Sequence, residues 1–125
     1  MRDGVTFIDI ECVKVDDMGS NVIAIFSNIE QFKEGKWMGD IRGHKFWWFG
    51  GVSILVAKDE IGFSDYCDTD FKWLPNDIIT IKADLNVWKL TFYFNKREIY
   101  TVALEKEIEY YFGIAVDGEA EYLIL

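Results

Sequence analysis

The sequence predicts an all-β fold: an antiparallel β-sandwich of two packed sheets, with at most short helical turns. Three observations carry that expectation. Apolar and polar residues alternate with a period of two in run after run, the pattern of a strand with one buried face. Turn-forming clusters separate these runs at short intervals, enough for roughly nine or ten strands. No stretch asks for a helix longer than about two turns. Strands with single apolar faces bury them by packing sheet on sheet.

The first run, "VTFIDIECVKV", puts Ile8, Ile10 and Cys12 on one face, and "DDMGSN" breaks it. Val22 to Phe26 reads as a second strand. Ser27 and Glu30 then form an S-x-x-E capping box before a helical turn ending near Gly35. "KWMGDIR" and "FWWFGGVSILVA" read as two adjacent strands around a Gly-His-Lys break, the second carrying Trp48 and a bulge at Gly50-Gly51. Lys58 to Pro75 has no sustained period and is the longest irregular stretch, which makes it the candidate functional loop.

The second half alternates most clearly. Ile79, Ile81 and Ala83 oppose Thr80, Lys82 and Asp84, and then Trp88, Leu90, Phe92 and Phe94 oppose Lys89, Thr91 and Tyr93. Both read as antiparallel strands with one wet face. Asn95, Lys96 and Arg97 make a short polar hairpin loop, "EIYTVAL" returns, "YYFGIAV" follows, and "AEYLIL" comes after an Asp117-Gly118 turn. Aromatics falling on every second residue of a strand share one side, so they are core before they are a ligand site.

At 125 residues the chain suits one domain, residues 1–125, with half its residues hydrophobic and 17% aromatic. A net charge of -9 repels phosphate backbones, and no lysine or arginine stripe supplies the contacts that drive nucleic-acid binding. Anionic membrane surfaces are disfavoured for the same reason, and no apolar run approaches the ~20 residues that span a bilayer. Acids interrupt the apolar start "MRDGVTFIDIE", unlike a secretory leader. Cys12 and Cys67 have neither disulfide-framework nor zinc spacing, so a soluble protein of the reducing cytoplasm is expected.

From Asn76 onward, "NDIITIKADLNVWKLTFYFNKREIYTVALEKEIEYYFGIAV" resembles the C-terminal half of the SPRY (B30.2-type) domain. Asp77, Ile79, Asp84, Leu90, Phe92 and Asn95 stand at positions of its pattern, and "GKWMGDIRGHKFWWFGGVSI" is similar to an upstream segment, so the resemblance covers roughly residues 35–125. Asn76, Thr80 and Lys96 replace glycines usual there. The resemblance implies a non-enzymatic β-sandwich that binds partner peptides through loops at one edge. Each matched residue also has a structural reading: Asp84 and Asn86 in Asx-type turn bonds, Asn95 at positive φ, Leu90 and Phe92 in the core.

Catalysis finds little support. His44, the single histidine, sits in a turn, and no nucleophile elbow is present. "FIDIE", residues 7–11, resembles the E-I-D-I-E motif of β-sandwich endoglucanases, but Phe7 stands where the first carboxylate belongs, and retaining chemistry needs two. Asp59, Glu60, Asp65, Asp68 and Asp70 crowd the long loop without the glycine and glutamate of a calcium loop. No glycine-rich phosphate cradle occurs, and no cofactor or metal is implied.

The expected activity is therefore protein recognition. Tyr66, Asp68, Asp70, Phe71 and Trp73 interleave aromatic anchors with acids, and a basic peptide is their natural complement. The alternative is a carbohydrate-binding sandwich that stacks sugars on Trp37, Trp47 and Trp73.

Overall fold

A computed structural model describes residues 4–14, 21–50, 53–69, 73–116 and 120–125. They form two antiparallel five-stranded sheets and one short helix. The strands are β1 (Val5–Lys14), β2 (Val22–Phe26), β3 (Lys45–Phe49), β4 (Ser53–Ala57), β5 (Asp65–Asp68), β6 (Ile78–Asp84), β7 (Lys89–Phe94), β8 (Arg97–Ala103), β9 (Tyr111–Ala115) and β10 (Glu121–Ile124). One sheet has the order β10-β1-β6-β7-β8 and the other β5-β4-β3-β2-β9. Contacts divide the chain into two compact units, one around each sheet, and neither unit is a continuous stretch of sequence.

In the β10-β1-β6-β7-β8 sheet the period-two reading holds in the three central strands. Ile10 and Cys12, then Ile79, Ile81 and Ala83, then Leu90, Phe92 and Phe94 are buried and Ile8 partly so; Thr91, expected on the wet face, is buried as well, its hydroxyl 3.2 Å from that of Thr101. Register follows from two turns. Phe94 pairs with Arg97, so Asn95 and Lys96 close a two-residue hairpin with φ of 48° and 70°, the positive values that such a loop needs to match strand twist. The Asn95 amide also accepts from the Ile78 N–H and donates to the Asp77 carboxylate, tying the hairpin tip to the start of β6. Asp84 accepts from the Asn86 N–H in the expected Asx bond. Trp88 departs from expectation: it stands in the β6–β7 turn at φ 55°, not in the strand with Leu90.

The β5-β4-β3-β2-β9 sheet is buried on both faces at its centre. Every residue of β2 is buried, as are Lys45 to Trp48 of β3. Ile23, Ile25, Phe46, Trp48 and Ile54 occupy one face. Val22, Ala24, Phe26, Trp47 and Leu55 occupy the other, under Met38, Ile41, Ile29 and Phe32 from the segment that joins β2 to β3. That segment contains helix α1 (Ile29–Lys33) and a 3₁₀ turn, Met38–Asp40.

Three expectations change here. Asn28 caps α1 by accepting from the Gln31 N–H, whereas Ser27 accepts from the His44 N–H and fastens the two ends of the segment together. "KWMGDIR" is this turn and its flanks, not a strand, because Gly39 must let Trp37 fold back: a Cβ on Gly39 would lie 2.8 Å from the Trp37 indole nitrogen. The chain reverses after Gly50, with Phe49 paired to Ser53, so Gly50 marks a hairpin and not a bulge inside one strand, while Gly51 lies outside the described residues. Gly113 of β9, opposite Ala24, leaves room for the rings: a Cβ there would come within 2.8 Å of Phe26 and 3.0 Å of Phe32.

Candidate functional site

The covered face of the β5-β4-β3-β2-β9 sheet opens into a groove at one side. Register builds its lining. Across β3, β4 and β5, one row of outward positions is Trp47, Leu55 and Tyr66, and the next is Phe49, Ser53 and Asp68. In each row β4 supplies a smaller side chain between larger neighbours, so the surface dips along β4. Trp37 and Gly39 from the β2–β3 segment and Gly62 and Phe63 from the β4–β5 connection complete a cavity of about 420 Å³. The Gly62 N–H donates to the Gly39 carbonyl at 2.5 Å, so the two flanking segments meet directly.

Five rings line this groove. Trp37, Trp47 and Phe49 pack edge to face in all three pairings, with centroids 5.7–6.4 Å apart, the arrangement that ring quadrupoles favour. Phe63 and Tyr66 form a second edge-to-face pair at 5.4 Å. Trp47 is buried, whereas Trp37 is 44% exposed and Tyr66 51% exposed, so the walls present open ring surface. The Trp47 indole N–H has no acceptor among the described residues, a buried donor left unsatisfied beside the groove.

Lys45 holds the Trp37 wall in place. It is fully buried, and its ammonium donates to the carbonyls of Met38, Gly39 and Ile41 at 3.1, 3.0 and 2.5 Å, matching three protons with three acceptors. Burial pushes its pKa below the ordinary lysine value, Asp40 and Glu60 oppose that shift, and Arg42 adds to it. Nothing in "GHKFWW" distinguishes this lysine from a solvated one.

The sequence-predicted site residues divide. Tyr66 and Asp68 both line the groove, on a strand, β5, inside the stretch expected to be an irregular loop. Asp70 and Phe71 lie outside the described residues. Trp73, expected as an aromatic anchor for a partner, is only 5% exposed: it stacks on Tyr122 at 4.2 Å and donates its indole N–H to the Asp77 carbonyl. It is a packing residue of the β10-β1-β6-β7-β8 unit. Of the three candidate sugar platforms, Trp37 and Trp47 come together in the groove, and Trp73 does not line it.

Phe49, Ser53, Leu55 and Phe63 escaped the sequence reading. The signal for the first three was "FWWF" followed by "SILV", runs apolar on both faces where one wet face was expected, and Phe63 lies within the stretch from Lys58 to Pro75. The "FIDIE" strand does place Phe7, Asp9 and Glu11 on one outward face. There the Asp9 carboxylate accepts from the Thr80 hydroxyl, and the Lys82 ammonium lies 5.8 Å from the Phe7 ring centroid. Among the described residues no three acidic, histidine or cysteine side chains converge as a metal site, and no helix is long and apolar enough to cross a membrane.

No family model matches the chain. No curated protein matches it either. Among solved structures it is similar to sheep galectin-11 in complex with glycerol, at 10% identity and a TM-score of 0.53, over 98% of this chain and 92% of that one. This likeness puts the fold among the lectin-like antiparallel β-sandwiches, as the alternation of the sequence predicted.

Proposed function

We propose that the chain is a recognition module without catalytic activity, which binds a peptide segment of a protein partner in the groove along β4. The groove itself carries this reading: half-exposed rings of Trp37, Phe63 and Tyr66 stand around a floor of Trp47, Leu55 and Ser53. Aromatic side chains around a concave apolar patch are the usual anchors of protein interfaces. Its described lining holds one carboxylate, Asp68, and neither histidine nor cysteine, which favours binding over acid–base or nucleophilic chemistry. The SPRY-like pattern from Asn76 onward points the same way.

A second reading, sugar binding, is favoured by the galectin-like fold and by the exposed Trp37 ring. A displayed peptide library selected on the whole chain, beside a glycan array, separates the two. The peptide reading expects enriched peptides whose affinity falls by about 2 kcal/mol in Tyr66→Ala, the size of an interface hot spot, and disappears when Ser53→Trp fills the trough. Saturable glycan binding without peptide enrichment would transfer the groove to the sugar reading. Peptides that bind Ser53→Trp as well as wild type would move the peptide site out of the groove.

A further inference from the structure

We infer that the ligand anchored in this groove is a cationic side chain, arginine or lysine; the inference rests on the peptide-binding reading and gives it a chemistry. Among the described lining residues Asp68 is the one charged side chain. It is exposed and stands at the β5 end of the Phe49–Ser53–Asp68 row. A guanidinium or ammonium above the open faces of Trp37 or Tyr66 is drawn to the negative face of the ring, while its apolar stem covers Leu55. Asp68 then offers the carboxylate that an arginine fork grips with two parallel hydrogen bonds.

The surroundings have the matching sign. Asp59 and Glu60 are exposed on the β4–β5 connection, where the Arg42 guanidinium donates to the Asp59 carbonyl, and the chain carries a net charge of -9. That field draws a cation in and repels phosphate or carboxylate ligands. The aromatic floor already accommodates one cation: the Lys45 ammonium lies 6.0 Å from the Trp47 ring centroid. Because Lys45 is fully buried, its charge is enclosed beneath the Met38–Asp40 turn and leaves the open groove to another. A neutral sugar fits less well, since its many hydroxyls would meet few polar groups here beyond Ser53, Asp68, the Tyr66 hydroxyl and the Trp47 indole N–H.

The test is a titration of the full chain with N-acetyl-arginine amide, N-acetyl-lysine amide, N-acetyl-citrulline amide and lactose, followed on the indole N–H signals of Trp37 and Trp47. Citrulline keeps the shape of arginine and removes its charge. Saturable shifts are expected with arginine and lysine, with citrulline weaker by about tenfold or more. Asp68→Asn should weaken arginine by a similar factor and leave the melting temperature unchanged. Equal binding of citrulline, or unchanged binding to Asp68→Asn, overturns the cation assignment, and so does a response to lactose alone or to none of the probes. The peptide-binding reading stands or falls separately, on whether library-selected peptides lose affinity in Ser53→Trp.

Discussion

The two sheets are built from similar strands and differ in what covers them. In β10-β1-β6-β7-β8, β6 keeps a wet face of Thr80, Lys82 and Asp84 beside the buried Ile79, Ile81 and Ala83. In β5-β4-β3-β2-β9, the 18-residue segment from Ser27 to His44 lies over the second face, so β2 is apolar throughout and β3 nearly so. Where that cover ends, between Trp37 and Phe63, aromatic side chains that would otherwise be core are left half open. A site arises at the margin of a covered face, with its rings already fixed by packing, and an ordinary wet face offers no such edge.

The contrast is testable by substitution. Ala24→Lys, which forces a charge under the cover, should prevent folding or cost several kcal/mol, seen as loss of a cooperative denaturant transition. If it folds like wild type, the second face is not covered. Trp73→Ala should cost about 3–5 kcal/mol in chemical denaturation as a large core truncation; a cost below about 1 kcal/mol would return Trp73 to the surface. Asn28→Ala removes the cap of α1 and should cost about 1 kcal/mol, together with faster amide exchange in α1.

Tyr122 supplies a test by pH. Burial, with a smaller contribution from the charge of Cys12, raises its phenol from 10.0 to about 12. Because the folded state holds the proton more tightly, the stabilisation is full below pH 10 and is lost as pH rises toward about 12. The loss should be on the order of 1 kcal/mol once solvent screening is counted. Tyr122→Phe should flatten the stability profile over that window, and an unchanged profile would assign the alkaline loss to other groups. Last, Lys89→Thr on the wet sheet should stay within about 0.5 kcal/mol of wild type.

How legible each region was follows from the same contrast. The core-facing positions of β1, β6 and β7 could be read from the alternation, which reports one apolar face directly, whereas the burial of Thr91 on the other face could not. The groove was legible in part: Tyr66 and Asp68 stood out as an aromatic among acids, and Trp37 and Trp47 as stacking candidates. Trp73 has the same local composition as Tyr66, yet its ring is closed by Tyr122, a residue 49 positions later in the chain. Local pattern does not encode so distant a contact.

The sequence by itself determined the strand periodicity, a short polar hairpin loop at Asn95 to Arg97, and a net charge of -9. These follow from backbone geometry and charge, which act between near neighbours or over the whole molecule. Only the tertiary structure decided that Ser27–His44 folds back over its own sheet, that Lys45 is enclosed by three carbonyls, and that Leu55 and Ser53 lie between rings from β3, β5 and their flanking segments. Those outcomes depend on register and long-range packing, where several side chains must meet at once and none specifies the meeting alone.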